Sequence, residues 1–293
     1  MIGIPDGLKI DIRRHAGPGA DLWLAGLPAL VEQHCAEWDL TIEGAPMHGA
    51  RGLVLPVDRG GENLVLKIAW PDEITADEYR ALSAWNGHGV VRLIDSRPET
   101  GAALLERLDA TRPLSSVLIN TAIGIAGDLI ALLAIDTNMR FPTMTERAEE
   151  ISSTLRPRWE ATGRPFPPHL LERVRENATQ LGHGTRRTLV NWDLHYDNIL
   201  TGQRLPWITI DPMPLLGDPE LGLAQLFWTR LEEIEGPARL RYLLATVIDR
   251  AGLDKVLADA WMLVRLADYW LWALGVGLTI DPERCRTLID WLG

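Results

Sequence analysis

The spacing of apolar residues divides the chain into a strand-rich front part and a helical back part. Up to about Gln33, apolar residues recur at helical spacing. Short β-prone runs then predict strands over 38–42, 52–57 and 63–69, a helix over 72–86, and further strands over 90–95 and 102–108. The front part is therefore predicted to be an antiparallel sheet of about five strands, with one main helix inserted after the third.

Two local signals support these boundaries. The segment Asp58-Arg59-Gly60-Gly61-Glu62 is typical of a hairpin turn between two strands. Pro71 lies near the start of the predicted helix and Gly87 directly after its end, which is the usual placement of these residues. Both signals favour antiparallel strands followed by a well-delimited helix.

Beyond Pro113 the periodicity is helical almost throughout. The exception is the segment 188–211, where three short strand-like runs, 188–190, 198–200 and 207–210, are separated by turns. A sheet-forming front part, a helical back part and a polar segment between helices predict an α+β fold with two lobes. We place these lobes at residues 1–108 and 109–293.

Composition narrows the class of protein. The chain has 293 residues, of which 46% are hydrophobic and 24% charged, as in globular proteins. No apolar run approaches bilayer length, and a basic segment followed by an apolar one is lacking at the N-terminus, so we expect neither membrane attachment nor a signal peptide. Cys35 and Cys285 show no pairing pattern and are expected to be buried free thiols in the cytoplasm.

The net charge of −11 bears on possible partners. Binding to a phosphate backbone needs a basic surface, so a nucleic-acid partner is not expected. An acidic surface instead favours the approach of cations. We expect a small cationic substrate and a monomer or weak dimer.

The most informative polar stretch is Asn191-Trp192-Asp193-Leu194-His195-Tyr196-Asp197-Asn198-Ile199-Leu200, followed by Ile210-Asp211-Pro212. Phosphoryl transfer needs a carboxylate that accepts the proton of the attacking hydroxyl, and oxygen ligands that hold magnesium on the phosphates. Asp193 fits the first part, and Asn198 with Asp211 fits the second. A hairpin between the last two would return Asp211 to the side of Asn198.

This stretch resembles the catalytic loop of the aminoglycoside phosphotransferases, within the kinase-like superfamily, which carry His-Gly-Asp-x-x-x-x-Asn and then Ile-Asp. The runs 206–212 and 217–219 are most similar to the streptomycin and hydroxyurea phosphotransferase branch. The resemblance covers about residues 36–290 and implies a bilobal protein-kinase-like fold that uses ATP or GTP with Mg²⁺. It also implies an aminoglycoside-like acceptor such as streptomycin, with hydroxyurea or another small alcohol as the alternative.

The resemblance assigns roles in the front part as well. Lys67 matches the strand lysine that contacts the α- and β-phosphates, and Glu78 matches the helix glutamate that holds this lysine. Glu73 is the competitor for that second role. Backbone groups near Glu106 and Leu108 match the hinge that hydrogen-bonds adenine.

The chain departs from the family pattern at three places. Asn191 and Trp192 stand where His-Gly is usual, and Met213 stands where a lysine is common. The segment 47–52, at the position of the phosphate-covering turn, lacks a Gly-x-Gly-x-x-Gly pattern. Because an asparagine can still hydrogen-bond neighbouring backbone, we expect activity to survive the first change.

Other readings remain open for several polar residues. Asp193, His195 and Asp197 alternate, so they could hold the metal of a hydrolase, although this leaves Asn198, Asp211 and Lys67 unexplained. His195 is otherwise interpreted as a hydrogen-bonded brace of the loop. A pseudokinase is a further alternative, against which the intact set Asp193, Asn198 and Asp211 argues.

The roles of the acidic residues that follow the catalytic-loop segment in the sequence also have two interpretations. Asp218 is predicted to cap a helix that begins near Glu220. Glu232, Glu233 and Glu235 form either a solvated helix face or the wall of a pocket for ammonium or guanidinium groups.

Overall fold

The computed structural model describes residues 2–183 and 187–293. The described chain forms two compact units. The first holds the residues up to Asp109 together with Gly202–Pro206, and the second holds Ala110–Thr201 and Trp207–Gly293.

The first unit begins with two helices and continues as an antiparallel sheet. Within the described residues the sheet has six strands in the order β1-β3-β4-β6-β5, and β2 pairs with β3. The elements are α1 (Asp6–His15), α2 (Ala20–Glu37), β1 (Thr41–Ile42), β2 (Met47–His48), β3 (Gly52–Arg59), β4 (Glu62–Ala69), α3 (Glu73–Trp85), β5 (Leu93–Arg97) and β6 (Ala102–Glu106).

Local sequence signals explain the central hairpin and the helix of this unit. Gly60 and Gly61 have φ angles of 61° and 92°, the left-handed conformation that a two-residue hairpin turn requires. The Asp72 side chain accepts a hydrogen bond from the Thr75 amide and caps α3, and Asn86 ends the helix with φ 46°. The hairpin and the helix predicted from the sequence are both present.

The first strands differ from the prediction. Only Thr41–Ile42 of the predicted strand 38–42 is extended, because α2 continues to Glu37 and Trp38 follows as its C-cap. Met47–His48 forms a strand that the sequence did not reveal, since two residues carry no periodicity. The expectation of about five strands was therefore one strand short.

The core of this unit lies between the sheet and the first two helices. Leu55, Leu66 and Leu104 from neighbouring strands are fully buried, and Leu27 and Val31 of α2 belong to the same cluster. Burial of each such side chain stabilises the fold by about 1.5–3 kcal/mol. This packing fixes β4 as a central strand.

The second unit is mostly helical, as the periodicity predicts. Its helices in the described chain are α4 (Ile119–Leu133), α5 (Met144–Ala161), α6 (Pro168–Leu181), α7 (Leu223–Trp228), α8 (Pro237–Ala251), α9 (Lys255–Gly275) and α10 (Ile280–Leu292). A capping box between Thr143 and Glu146 begins α5, and the Asp254 side chain caps α9.

Short strands of the second unit form two small sheets. They are β7 (Asp109–Pro113), β8 (Ile135–Asp136), β9 (Thr188–Asn191), β10 (Ile199–Thr201), β11 (Ile208–Thr209) and β12 (Pro214–Leu216). In the described residues the sheets have the orders β11-β10-β7 and β12-β9-β8. The segment 188–211 contributes three of these strands as predicted, whereas β7, β8 and β12 were not foreseen.

The apolar residues of α9 lie at the centre of the second core. Trp261 and Trp270 are buried there, whereas Trp272 is 46% exposed. Both cysteines are free thiols; Cys285 is buried and Cys35 only half-buried. No helix within residues 2–183 and 187–293 combines the length and apolar character needed to cross a membrane.

Candidate active site

Lys67 lies at the centre of the first unit's sheet. It belongs to β4, where it pairs with Val54 of β3 and Ala103 of β6, and it is only 7% exposed to solvent. Its ammonium group donates to both carboxylate oxygens of Glu78 on α3, at 2.7 and 2.9 Å. Glu73, the competitor, is exposed at the start of α3, so the structure brings Lys67 together with Glu78.

Glu106 ends β6 and is held by side-chain and backbone contacts. Its amide donates to the Arg92 carbonyl at 3.0 Å, and its carboxylate accepts from the Arg92 amide at 2.8 Å. The Arg204 guanidinium donates to the same carboxylate at 2.6 Å and to the Val90 carbonyl at 3.1 Å. Leu108 follows two residues later and is half-buried.

The turn at residues 47–52 joins β2 to β3. The Gly49 amide donates to the Gly52 carbonyl at 3.1 Å, and Arg51 pairs with Asp72. A Cβ atom at Gly52 would lie 2.8 Å from the Ala69 backbone, so glycine is required for the close approach of the two strands.

In the second unit, Asn191 holds two loops together. Its Oδ1 atom accepts the Asp193 amide at 3.2 Å and the Met213 amide at 3.0 Å. The residue is 7% exposed at the end of β9. The loop with Asp193 and the loop after Asp211 are therefore joined by one buried side chain, as expected for an asparagine that hydrogen-bonds neighbouring backbone.

Asn198 and Asp211 lie just beyond the end of one antiparallel ladder. Ile199 of β10 pairs with Thr209 of β11, and the Ile210 amide donates to the Asn198 carbonyl at 2.8 Å. Asp211 follows with φ 47°, a left-handed conformation that is uncommon for a residue other than glycine. The predicted return of Asp211 to the side of Asn198 is thus present in the backbone.

The surroundings of Asp193 change its affinity for a proton. Burial raises the pKa of this carboxyl, and the negative charge of Asp211 acts in the same direction. Electrostatic interactions with His195 and Arg265 and a hydrogen bond from the Gln225 side chain lower this pKa without cancelling the shift. Asp193 therefore has a raised pKa, which suits a group that accepts a proton during a reaction.

The hydrolase alternative finds no support in the geometry. Asp197 is exposed, and the His195 carbonyl accepts a hydrogen bond from the Asn198 amide at 3.0 Å. No group of three or more His, Cys, Asp or Glu side chains is placed to hold a metal ion in the part of the chain described. Asn198 with Asp211 instead offers an amide oxygen and a carboxylate, the hard donors that Mg²⁺ prefers.

Comparison with known proteins decides the family. The profile of the aminoglycoside/hydroxyurea antibiotic resistance kinases matches residues 37–277. The chain belongs to this kinase family. It is therefore a phosphotransferase that acts on hydroxyl groups, and the resemblance of its catalytic loop is confirmed.

Two relatives of known name cover nearly the whole chain. The streptomycin 6-kinase of Streptomyces glaucescens is 35% identical over 292 residues, which are 96% of this chain and 94% of that protein. The hydroxyurea phosphotransferase of Kitasatospora aureofaciens is 37% identical over 291 residues, which are 97% of this chain and 84% of that protein.

A solved structure supports the fold of the family. An aminoglycoside phosphotransferase in ternary complex with ADP and hygromycin B superposes with a TM-score of 0.59. The two sequences are 16% identical, and the match covers 89% of this chain and 97% of that one. The predicted protein-kinase-like α+β fold is thus confirmed.

Trp192, the second departure from the family motif, lies against arginines. The guanidinium carbon of Arg265 is 4.5 Å from the centroid of its ring, and that of Arg147 is 5.5 Å away. Both distances fall within the range of cation–π contacts. In this family member, the residue before Asp193 is thus part of a cationic and aromatic environment that the motif alone did not predict.

The ambiguous acidic residues are now placed. Glu233 pairs with Arg230 and Glu232 with Arg284, both at 2.6 Å, and Glu232, Glu233 and Glu235 are exposed. This favours the solvated face over the pocket wall.

Asp218 occupies the N-cap position of the 3₁₀ helix Pro219–Gly222, but its side chain makes no capping hydrogen bond to that helix. The predicted position was correct and the predicted contact was wrong, because the turn that follows is a short 3₁₀ helix. Its backbone carbonyl accepts a hydrogen bond from the Leu221 amide at 3.3 Å.

Sequence reasoning missed the charged residues that surround Asp268 on α9. Arg265 and Asp268 are buried, three residues apart, in an otherwise apolar stretch of that helix. A charged pair in such a stretch is a signal of a buried polar site. The other partners of Asp268, Arg147 and Arg158, are more than a hundred residues away in the sequence and could not be inferred from it.

Proposed function

We propose that the chain transfers the γ-phosphoryl group of ATP or GTP to a hydroxyl group of a small antibiotic. The acceptors named for its relatives, streptomycin and hydroxyurea, define the two kinds of compound to consider. The observation that supports the proposal is the hydrogen bond from the Ile210 amide to the Asn198 carbonyl, which brings the residue before Asp211 opposite Asn198. Asn198 lies on the same loop as Asp193.

The first unit is proposed to act as the nucleotide-binding lobe. Lys67 would neutralise negative charge on the α- and β-phosphates, and Glu78 would keep its ammonium group in place. The Glu106 amide is engaged with Arg92, so contacts to adenine would fall to the Glu106 carbonyl and the Leu108 amide.

The second unit is proposed to act as the catalytic and substrate-binding lobe. Asn198 and Asp211 would hold Mg²⁺, which when bound neutralises charge on the phosphates. Asp193 would orient the acceptor hydroxyl and take its proton. In that step a bond forms from the acceptor oxygen to the γ-phosphorus, and the bond to the bridging oxygen breaks as the nucleoside diphosphate leaves.

The position and raised pKa of Asp193 both support this role. Its amide is fixed by Asn191, so the carboxylate starts from a defined backbone position. A carboxylate with a raised pKa holds a transferred proton more tightly than one in water. We further propose that the protein works in the cytoplasm as a monomer or weak dimer, consistent with its free thiols.

The test is nucleotide turnover with a panel of aminoglycosides and hydroxyurea. We expect transfer in the wild type, and an Asp193→Asn variant should turn over about 10²–10⁴-fold more slowly because the proton acceptor is lost. Nucleotide affinity, measured by titration calorimetry, should stay unchanged in that variant. Asp211→Asn should instead weaken magnesium-dependent nucleotide binding.

Unaltered turnover of Asp193→Asn would refute its assigned role. Magnesium dependence that persisted in Asp211→Asn would refute the metal assignment.

A further inference from the structure

A pocket of about 440 Å³ opens at Asp193 within the second unit. This volume is in the range of sites for small ligands. Trp192 and Asp193 contribute to its lining, and the other lining residues lie on α5, α7 and α9. A hydroxyl compound in this pocket would therefore lie beside the proposed proton acceptor.

The lining of the pocket is electrically balanced. Its described residues include the carboxylates of Glu150, Asp193 and Asp268, and the guanidinium groups of Arg147, Arg158 and Arg265. The charge of −11 on the whole chain does not extend to this site. The acidic pocket expected for a cationic substrate is not found beside Asp193.

Asp268 is already satisfied by the protein. Among the described residues, Arg158 donates to its Oδ1 at 2.7 Å, and Arg147 and Arg265 donate to its Oδ2 at 2.8 and 3.3 Å. The Asp268 side chain is 4% exposed. We call Arg147, Arg158 and Arg265 around Asp268 the arginine cluster.

Glu150 offers little more to a cation. It pairs with Arg147 at 2.6 Å, and its side chain is 60% exposed, so its field is screened by solvent. Asp193 is the proposed proton acceptor. A ligand cation entering the pocket would thus meet carboxylates that are engaged and guanidinium groups of its own sign.

The apolar part of the pocket is a stack of aromatic rings. Trp228 and Tyr269 stack with centroids 4.2 Å apart and planes 9° apart, and Trp272 continues the stack at 5.4 Å and 20°. Arg265 lies 5.8 Å from the Trp228 centroid, in addition to its contact with Trp192. Arg265 therefore already makes the cation–π contacts of Trp192 and Trp228 that a ligand cation could otherwise make. Trp272 presents an exposed ring on which a flat ligand can stack.

We infer that this pocket is the acceptor site, and that the arginine cluster makes it selective for an uncharged hydroxyl compound with a flat or ring-shaped face over a polycation. The inference rests on the proposed function for the meaning of "acceptor", but the selectivity is a property of binding alone. Trp272, the exposed end of the aromatic stack, stacks on the ligand, and the cluster withholds Asp268 from ligand cations.

A matched pair of cyclitols tests the selectivity. Scyllo-inositol carries only hydroxyl groups, and streptidine carries two guanidinium groups on the same kind of ring. Binding of each to the full chain is followed by ligand-observed NMR titration at low and high salt. We expect the scyllo-inositol affinity to change less than about twofold with salt. Streptidine should bind at least about tenfold more weakly than scyllo-inositol at low salt, where its repulsion by the arginine cluster is least screened.

Variants on α5 locate the cause. Arg158→Gln removes one guanidinium from Asp268, and we expect streptidine affinity to rise about tenfold, as for one uncompensated charge at a half-buried site. Scyllo-inositol affinity should stay the same. Arg156→Gln is the matched control, since Arg156 lies on the same helix but pairs with Glu172 outside the pocket.

Trp272→Ala tests the location without disturbing the core, because Trp272 is 46% exposed. We expect scyllo-inositol binding to weaken several-fold. Retained binding in this variant overturns the location. Streptidine that binds the wild type more tightly than scyllo-inositol, or that is unaffected by Arg158→Gln, overturns the selectivity.

Phosphoryl transfer is measured separately by ³¹P NMR with ATP and magnesium. If binding follows the expected pattern but no acceptor, hydroxyurea and streptomycin included, receives phosphate, then the proposed function fails and the binding inference stands. If transfer occurs and streptidine is the preferred ligand, then the inference fails and the proposed function stands.

Discussion

Lys67 and Asp268 are both buried charges, but the protein compensates them differently. Lys67 is paired with the bidentate carboxylate of Glu78, eleven residues along the chain. Asp268 lies among the arginine cluster, two of whose members are 121 and 110 residues away. The Lys67–Glu78 pair suits contact with a ligand's phosphates. The cluster instead fixes the side chains of three arginines on α5 and α9 and keeps the Asp268 carboxylate from binding a ligand.

The largest effect is expected for Asp268→Asn. This change leaves three guanidinium groups without their carboxylate partner, and a guanidinium cannot become neutral by losing its proton. Removal of one partner from a buried ionic group costs about 3–5 kcal/mol. Urea unfolding measures the loss. A loss below about 1 kcal/mol, the size typical of a surface ion pair, would show that the cluster behaves as an exposed one.

A smaller loss of stability is expected for Lys67→Met. The Glu78 carboxylate can take up a proton when its partner is removed, so the cost should be about 1–3 kcal/mol, as for one buried polar group. The same urea experiment compares the two variants directly, and Lys67→Met should also use nucleotide poorly. A loss equal to that of Asp268→Asn would remove the distinction between the two sites.

The smallest effect is the dependence on pH. Burial by itself raises the pKa of Asp268, but Arg147, Arg265 and Arg158 together hold this pKa below its usual range. The stability that this carboxylate contributes is therefore complete above the unfolded pKa of about 3.9 and is lost as the pH falls through the lower folded value.

Urea unfolding of the wild type and of Asp268→Asn as a function of pH measures this contribution. The difference between them should be constant from neutral pH down to about pH 4, and should then shrink by at most about 1.4 kcal/mol per pH unit. A difference that already declines near neutral pH would mean that another group is responsible.

The same contrast explains what the sequence could reveal. Lys67 stands out because it interrupts an apolar strand in a chain with few lysines, and Glu78 lies on the next helix. Asp193, Asn198 and Asp211 occur within 19 residues, so their order and the hairpin between them are local information. Their arrangement in the backbone agrees with that prediction.

The arginine cluster and several strands could not be predicted for physical reasons. The cluster joins α5 to α9, and such pairing depends on tertiary packing that no local pattern encodes. Strands β2 and β8 have two residues each, and β12 three, which is too short for alternation to be visible. They form because neighbouring strands offer them partners.

Asn191 connects the catalytic loop to the loop after Asp211 through a side chain that does not titrate. Where the family motif has an imidazole, which gains a proton and loses acceptor capacity in mildly acidic solution, this chain uses a carboxamide whose oxygen accepts two backbone amides at any physiological acidity. The connection between the two loops therefore does not depend on the protonation of a side chain, even in mildly acidic solution.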